Sequence, residues 1–248
     1  MTASRPWRLV PSSFTPAQGQ MEWDRQAFRA FQESHAPMLR FFRFQKPTFT
    51  MGRLEARRID LQKLPHPHEV RPTGGWTVLH GEGDLCYSLF ASTRDPLVGG
   101  DLIASYQKIS RLLQGAFKAL GRQVELSTEP HRASGMTHCF SAPSKCELTL
   151  GGKKVSGGAQ AREGNVFLQQ GVILLSVSEG WRKAYGSGAL EAMTGLNDGP
   201  QAPVEAGQIE AAVEKAFQQA GAEFEKSLTT LGSLGKLEAF PILSEAKP

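Results

Sequence analysis

The stretch THCFSAPSKCELTLGGKKVSGGAQ, residues 137–160, brings two cysteines, three lysines and paired glycines within one short span. A thiol attacks as its thiolate, and a neighbouring positive charge is one of the groups that favours that form. Cys139, ahead of the Pro143-Ser144 turn, is therefore a candidate nucleophile for covalent catalysis, with Lys154 as its charged partner. The other reading is an ordinary thiol and an ordinary hairpin lysine. His138 is the weaker partner, because adjacent residues of an extended chain point to opposite faces.

The register of the hairpin tests the pairing. With Gly151-Gly152 as a two-residue turn, Leu150 faces Lys153, Thr149 faces Lys154, Leu148 faces Val155 and Glu147 faces Ser156. One face then carries Cys146, Leu148, Leu150 and Val155, a core face with Lys153 at its edge. The other carries Glu147, Thr149, Lys154 and Ser156, and geometry alone makes it the solvated side of a half-exposed sheet. Cys146, among leucines, and Cys86, in the alternating LCYSLF run, read as structural thiols, whereas Cys139 falls in a loop.

Several elements have to hold this hairpin in place. Trp23, Phe28 and Phe31 recur at helical spacing within 21–35. Residues 39–52 read as two strands broken at Lys46-Pro47, and 77–90 as a hairpin about Gly81-Glu82-Gly83. Asp101 is an N-cap for a helix with the stripe Leu102, Ile103, Tyr106, Ile109, Leu113, Phe117 and Leu120, stopped by Gly121. From Glu147 to Val177 the pattern is a four-strand meander with glycine-containing turns. Pro203 opens a long helix carrying Ile209, Val213, Phe217, Phe224 and Leu228. Helices before and after runs of antiparallel strands indicate an α+β fold: mixed, mainly antiparallel sheets packed against helices. Without repeats or low-complexity linkers, the 248 residues read as a single domain, with a core of about 20–195 and a C-terminal helical cap of about 200–248.

Bulk properties narrow the function classes. Apolar residues make up 40% and charged residues 21%, enough for a real core. Three cysteines form no regular framework, so a disulfide-stapled secreted protein is not expected. The N-terminal residues have no apolar h-region, and the longest aliphatic run, Val172–Leu175, is too short to span a bilayer. The expectation is a cytoplasmic protein with no membrane partner. The net charge of +4 is scattered, without the basic-aromatic interleaving of a nucleic-acid binder, and suits an acidic protein partner. His and Cys spacing offers no metal-ligand pair, so no metal is expected.

Three segments together resemble one family. RPTGGWTVLHGEGDLCYS, from Arg71 to Ser88, resembles the Gly-rich segment of the lipoate–protein ligase and octanoyltransferase family, Arg-Arg-x-[Ser/Thr]-Gly-Gly-x-x-Val-x-His. GGKKVSGGAQ is similar to that family's Gly-x-Lys-[Ile/Val]-x-Gly-x-Ala-Gln signature, with Lys154 at the lysine. PTFTMGR is similar to its Pro-x-x-Ser-x-Gly segment, with Thr50 for the serine. The segments stand in family order over about 110 residues. CFSAPSKCEL resembles the Cys-Phe-x-x-Pro-Ser-x-x-Glu-Leu stretch of the cysteine-dependent octanoyltransferases. The chain departs at Val70, where the first arginine of the pair is expected, at Trp76 after Gly75, and at Cys146, where an aromatic residue is usual.

The resemblance implies a biotin/lipoate ligase-like catalytic domain. It implies an octanoyl group moved from an acyl carrier protein thioester to Cys139, then to a lysine of a lipoyl domain or of the glycine cleavage H protein. No cofactor is implied, because thioester exchange followed by amide formation runs without ATP. Lys154 would favour the thiolate and face the developing oxyanion. Gly74 and Gly75 would let backbone approach the acyl chain or its arm, and Arg71, Thr73, His80 and Gly157 complete the implied substrate-binding set. Arg71 is weighed as a contact for donor phosphate or carrier surface, against a surface salt bridge. His80 is weighed as pocket wall against structural histidine, and Trp76 as narrowing the acyl slot against mere packing. The same fold also hosts ATP- and Mg²⁺-dependent lipoate ligases and could host a member that binds without turnover. Val70 argues against the adenylate-handling ligase.

Overall fold

The computed structural model describes residues 6–63, 67–81, 83–128, 140, 143–177, 179–181, 183 and 191–225. A seven-stranded sheet has the order β1-β2-β6-β10-β9-β8-β7. Its strands are β1 (Arg8–Thr15), β2 (Met38–Phe44), β6 (Leu85–Ser92), β7 (Val124–Leu126), β8 (Leu148–Leu150), β9 (Lys153–Glu163) and β10 (Val166–Ile173). A second sheet, β4-β3-β5, is built from β3 (Thr48–Met51), β4 (His68–Val70) and β5 (Val78–His80). Among the described strand pairs, β1/β2 and β3/β4 are parallel and the rest antiparallel. Helix α1 (Ala17–Ser34) makes the β1–β2 connection that a parallel pair needs.

Side-chain alternation sorts the large sheet into two faces. Leu85, Tyr87 and Leu89 of β6, with Phe167 and Ile173 of β10, pack against α2 (Leu102–Ala119) and α3 (Ala206–Gln219) through Ile109, Leu113, Phe117, Ile209, Val213 and Phe217. Phe90 and Leu168 face the other way, onto Phe28 and Phe31 of α1. The Asp101 cap is present, its carboxylate accepting the Ala104 N–H at 2.8 Å. The stripe of α2 begins one turn later than the spacing predicts, because Leu102 and Ile103 are exposed.

Three local expectations are corrected. Residues 77–90 are not a hairpin: β5 pairs with β3 in the small sheet, whereas β6 pairs with β2 and β10 in the large one. The intervening turn carries the chain between layers, with the Asp84 carboxylate accepting the Gly81 N–H at 2.7 Å. The meander has three strands, because Gly171 lies inside β10 opposite Tyr87 and Gly158. A Cβ there would stand 2.2 Å from the Tyr87 ring, so this glycine makes room for an aromatic and makes no turn. The last helix stops at Gln219, where Gly221 takes φ +102° and the Ala222 N–H returns to the Phe217 carbonyl. Phe224 instead bridges to Trp7, and Leu228 lies outside the described residues.

A buried polar seam joins α1 to both central strands. Arg40 of β2 donates to Asp24 at 2.7 Å and to Gln20, with its guanidinium 4.2 Å from the Trp23 ring centroid. Asp24 also accepts from Ser88 and from Gln170, both at 2.6 Å. Removing one member of such a pair strands the other charge without water, at about 3–5 kcal/mol. Asp24→Ala should lower the unfolding free energy by that amount, seen as a lower urea midpoint with little change in slope. An unchanged midpoint would show that the seam contributes nothing.

Candidate functional site

The Gly151-Gly152 turn forms with both residues at positive φ, +58° and +78°, and Leu150 and Thr149 face Lys153 and Lys154 as read from the sequence. The register then slips: Leu148 pairs with Ser156, leaving Val155 as a bulge. The expected polar face exists but is not solvated. Lys154 is 0% exposed, and Thr149 and Ser156 are buried. Beside them, the segment 192–194 pairs edge-on with the backbone of Lys154, whose N–H donates to the Ala192 carbonyl and whose carbonyl accepts from the Thr194 N–H.

A buried ammonium needs a counter-charge, and Glu147 supplies it at 2.7 Å. The other carboxylate oxygen of Glu147 accepts the Ser144 N–H at 2.7 Å, so one side chain holds both the lysine and the turn before β8. The ammonium also stands 4.6 Å from the ring centroid of Phe140, which packs edge-on against Trp181 at 5.5 Å. Gly157 is explained by the same geometry. A Cβ there would lie 2.6 Å from Lys154 Cε and 2.9 Å from Nζ, so only glycine leaves the lysine its path.

Beside this pair opens a cleft with an empty volume of about 510 Å³, its open mouth included. Met21, Phe42, Phe44, Val78, Cys86 and Phe140 make it apolar, and Thr50, Arg71, His80 and Gln170 add a polar edge. That lining suits a ligand that is mostly hydrocarbon. Gly75 and Gly157 line it, whereas Trp76 is not among its walls.

Arg71 is buried and is not a surface cation. Its guanidinium donates to the carbonyls of Thr50 (2.7 Å), Gly74 (2.7 Å) and Trp76 (2.8 Å), fixing the glycine loop against β3. Gly52 completes the contact, since a Cβ there would stand 2.4 Å from the Gly75 carbonyl oxygen. Gly75 takes φ +87°, and no atom lies near the Cβ position of Gly74, which is exposed. Thr73 donates to Gln170 at 2.8 Å and thereby joins the loop to the Asp24 seam.

His80 lines the cleft, with Nε2 2.7 Å from the Thr50 hydroxyl and Nδ1 3.3 Å from Cys86 Sγ. Burial, reinforced by the Arg71 charge, pushes its pKa down to about 3, so it is a neutral wall at physiological pH. Burial pushes the Cys86 thiol well up and the Cys146 thiol up, in keeping with both as structural thiols. Asp84, which accepts from Gly81 and from Trp181 Nε1 (3.3 Å), is raised by burial to about 7. Cys139, His131 and His138 lie outside the described residues.

The sequence reading placed Glu147 on the lysine's face but gave it no role. Phe140, Thr50 and Gln170 were not singled out as cleft residues. For Glu147 the period-two register was the available signal. For Gln170 none existed, because its partners come from α1 and the glycine loop.

Two outcomes follow from these contacts. Gly157→Ala should displace the ammonium and depress catalytic turnover far more than it lowers the melting temperature; a variant with full turnover would refute the steric account. Asp84 keeps a proton in the folded state that the unfolded chain releases above about pH 4, so its neutral burial costs stability as pH rises from about 4 to about 7. Asp84→Asn should therefore gain on the wild type over that range, by up to about 4 kcal/mol in urea unfolding at pH 8 against pH 4. Parallel pH profiles would contradict it.

Known proteins resemble this chain in sequence and in fold. The family model described as the lipoyl protein ligase A/B catalytic domain matches residues 16–218. An octanoyltransferase LipM of Moorella thermoacetica is 30% identical over 257 aligned positions, covering 94% of this chain and 93% of the relative. An octanoyltransferase LipM of Carboxydothermus hydrogenoformans is 34% identical over 177, covering 69% of this chain and just under two thirds, 65%, of the relative. Among solved structures, a lipoate-protein ligase A bound with ATP superposes with a TM-score of 0.72 at 22% identity, covering 90% of this chain and 88% of that one. A bi-partite lipoate protein ligase from Thermoplasma acidophilum, solved as part of a lipoylation system with its E2 lipoyl domain, gives 0.63 at 20%, covering 90% and 87%. At those identities the structures speak for the fold, which is the lipoate-protein ligase type expected from the motifs. With the lysine hairpin, the glycine loop and a family match over most of its length, the chain belongs to the lipoyl protein ligase A/B catalytic domain family.

Proposed function

We propose that the chain is an octanoyltransferase of protein lipoylation. In this reading it moves an octanoyl group from an acyl carrier protein thioester, through Cys139, to the ε-amine of a lysine on a lipoyl domain or a glycine cleavage H protein. The observation that carries the reading is a wholly buried lysine ammonium against the wall of an apolar cleft, in a family whose curated relatives are named octanoyltransferases. Phe140, one peptide bond after Cys139 in the chain, is both cleft wall and ring partner of that ammonium.

The chemistry divides into two substitutions at one carbonyl carbon. The Cys139 thiolate forms a C–S bond to the donor carbonyl, the donor's C–S bond breaks, and the carrier thiolate leaves and takes a proton. The acceptor amine then forms a C–N bond, the bond to Cys139 breaks, and the amine's proton is passed on, restoring the thiolate. One thioester replaces another in the first step, and the amide makes the second downhill, so the reading requires neither ATP nor Mg²⁺. Lys154, already desolvated and held by Glu147, can stabilise negative charge on sulfur and on the carbonyl oxygen without rearranging. The apolar walls would take the hydrocarbon chain, while Gly74, Gly75, Thr73 and Arg71 keep the mouth in shape and His80 remains a neutral lining group.

Incubation with octanoylated acyl carrier protein should give one octanoyl adduct by intact mass, absent in Cys139→Ser. An adduct mapped to Cys86 or Cys146 would move the nucleophile elsewhere. Transfer to a purified lipoyl domain should proceed without ATP, and Lys154→Met should lower kcat/KM on the order of 10²–10³-fold. Strict ATP dependence would replace the transferase reading with a ligase.

A further inference from the structure

Immediately after Gly52 the chain leaves β3 through an irregular turn, Arg53-Leu54-Glu55-Ala56-Arg57-Arg58. Arg53, Arg57 and Arg58 are exposed, and among the described residues none of them has a carboxylate partner. Leu54 between them is 72% exposed, the most exposed of the large apolar side chains described. Glu55, the single acid of the turn, is half-buried with one carboxylate oxygen shielded from solvent, so it does little to neutralise the outward face.

The position of this turn is fixed. Its first residue follows Gly52, whose backbone packs under Gly74 and Gly75 at the rim of the cleft. Gly75 in turn sits over Ala159 of β9, two residues along the strand from Gly157 and the Lys154 amine. Two strand residues span about 7 Å, so the turn starts on the glycine-loop side of the cleft, about that far along β9 from the Gly157 position where the ammonium sits. A partner that brings only a lysine side chain has to seat its own backbone near the ammonium. A partner that presents its acyl thioester on a long flexible arm can seat its body on the turn and reach along the cleft.

We propose that the turn 53–58 is the docking surface for the acyl donor, a carrier protein with an acidic face, Leu54 supplying the apolar centre and the three arginines the complementary charge. The proposal rests on the octanoyltransferase reading and names the place where its donor binds. Charges at the rim of such an interface act mainly on encounter and on its salt dependence. Leu54, flanked in the chain by the arginines, supplies an apolar contact within a charged rim.

The test compares R53E/R57E/R58E and Leu54→Ala with the wild-type full chain, using octanoylated bacterial acyl carrier protein and, in parallel, octanoyl-pantetheine, a donor with no protein body. KM for the carrier-bound donor should rise on the order of tenfold or more in the triple variant. Its kcat, its melting temperature and its kinetics with octanoyl-pantetheine should stay unchanged, and the wild type's loss of affinity with added salt should disappear. Equal losses with both donors would mean that the turn merely supports the cleft. A raised KM for the lipoyl domain, with the donor's unchanged, would assign the surface to the acceptor. Either result overturns the proposal. Should the wild type transfer nothing from any donor, the enzymatic reading fails on its own. Fluorescence anisotropy of labelled carrier protein then decides the docking surface: salt-sensitive binding lost in R53E/R57E/R58E supports it, and equal binding by both proteins refutes it.

Discussion

A lysine ammonium removed from water must be given a counter-ion and a fixed path, and most of the site's construction follows from that demand. Glu147 neutralises Lys154 at 2.7 Å while its second oxygen ties down Ser144. Gly157 is a glycine because the lysine stem occupies the volume of its Cβ. The bulge at Val155 leaves Lys154 opposite Thr149 while Val155 itself stays in the core with Leu148, and the segment 192–194 pairs with the Lys154 backbone. A buried ion pair of this kind adds little to stability, because desolvation offsets most of its Coulomb energy. Its use is positional: a charge already stripped of water acts strongly on a neighbouring developing charge.

The opposite wall of the cleft has its own polar frame. Arg40, Asp24 and Gln170 link α1, β2 and β10, and Thr73 extends the chain of hydrogen bonds into the glycine loop. Arg71 then locks that loop to β3 through main-chain carbonyls. The cleft thus lies between two internally satisfied polar structures, so its apolar walls need not hold its shape alone. Such frames are specific because a half-satisfied member is costly, which leaves one low-energy arrangement. Thr50, standing where the family motif has serine, keeps the hydroxyl that meets both His80 and Arg71. The substitution therefore preserves the contact that the position supplies.

Departures from the motifs acquire local meaning. At Val70 the missing arginine side chain coincides with Arg25 of α1, whose guanidinium donates to the Val70 carbonyl at 2.7 Å. Trp76 contributes its carbonyl to Arg71 and leaves the cleft wall to Gly75 and Val78. Cys146 takes φ +73°, bending the chain just before β8, with its carbonyl accepting from Ser110 at 2.6 Å.

The amino-acid order by itself determined what depends on near neighbours. The Gly-Gly turn, the facing of Lys154 with Thr149, the Asp101 cap and the sharing of one face by Glu147 and Lys154 all follow from strand and helix periodicity. The motifs carried the family and the identity of the lysine. Periodicity says which side chains share a face but not what comes to cover it. The polar face reads as solvated, yet in the fold Lys154, Thr149 and Ser156 are buried and Phe140 and Glu147 meet the ammonium, and residues 77–90 read as a hairpin until β3 and β10 compete for its two strands. Arg71 looked like a surface cation because its acceptors are main-chain carbonyls, which every residue carries and no composition reveals. Tertiary structure decided these points, since burial and backbone pairing are made between segments that the sequence keeps apart.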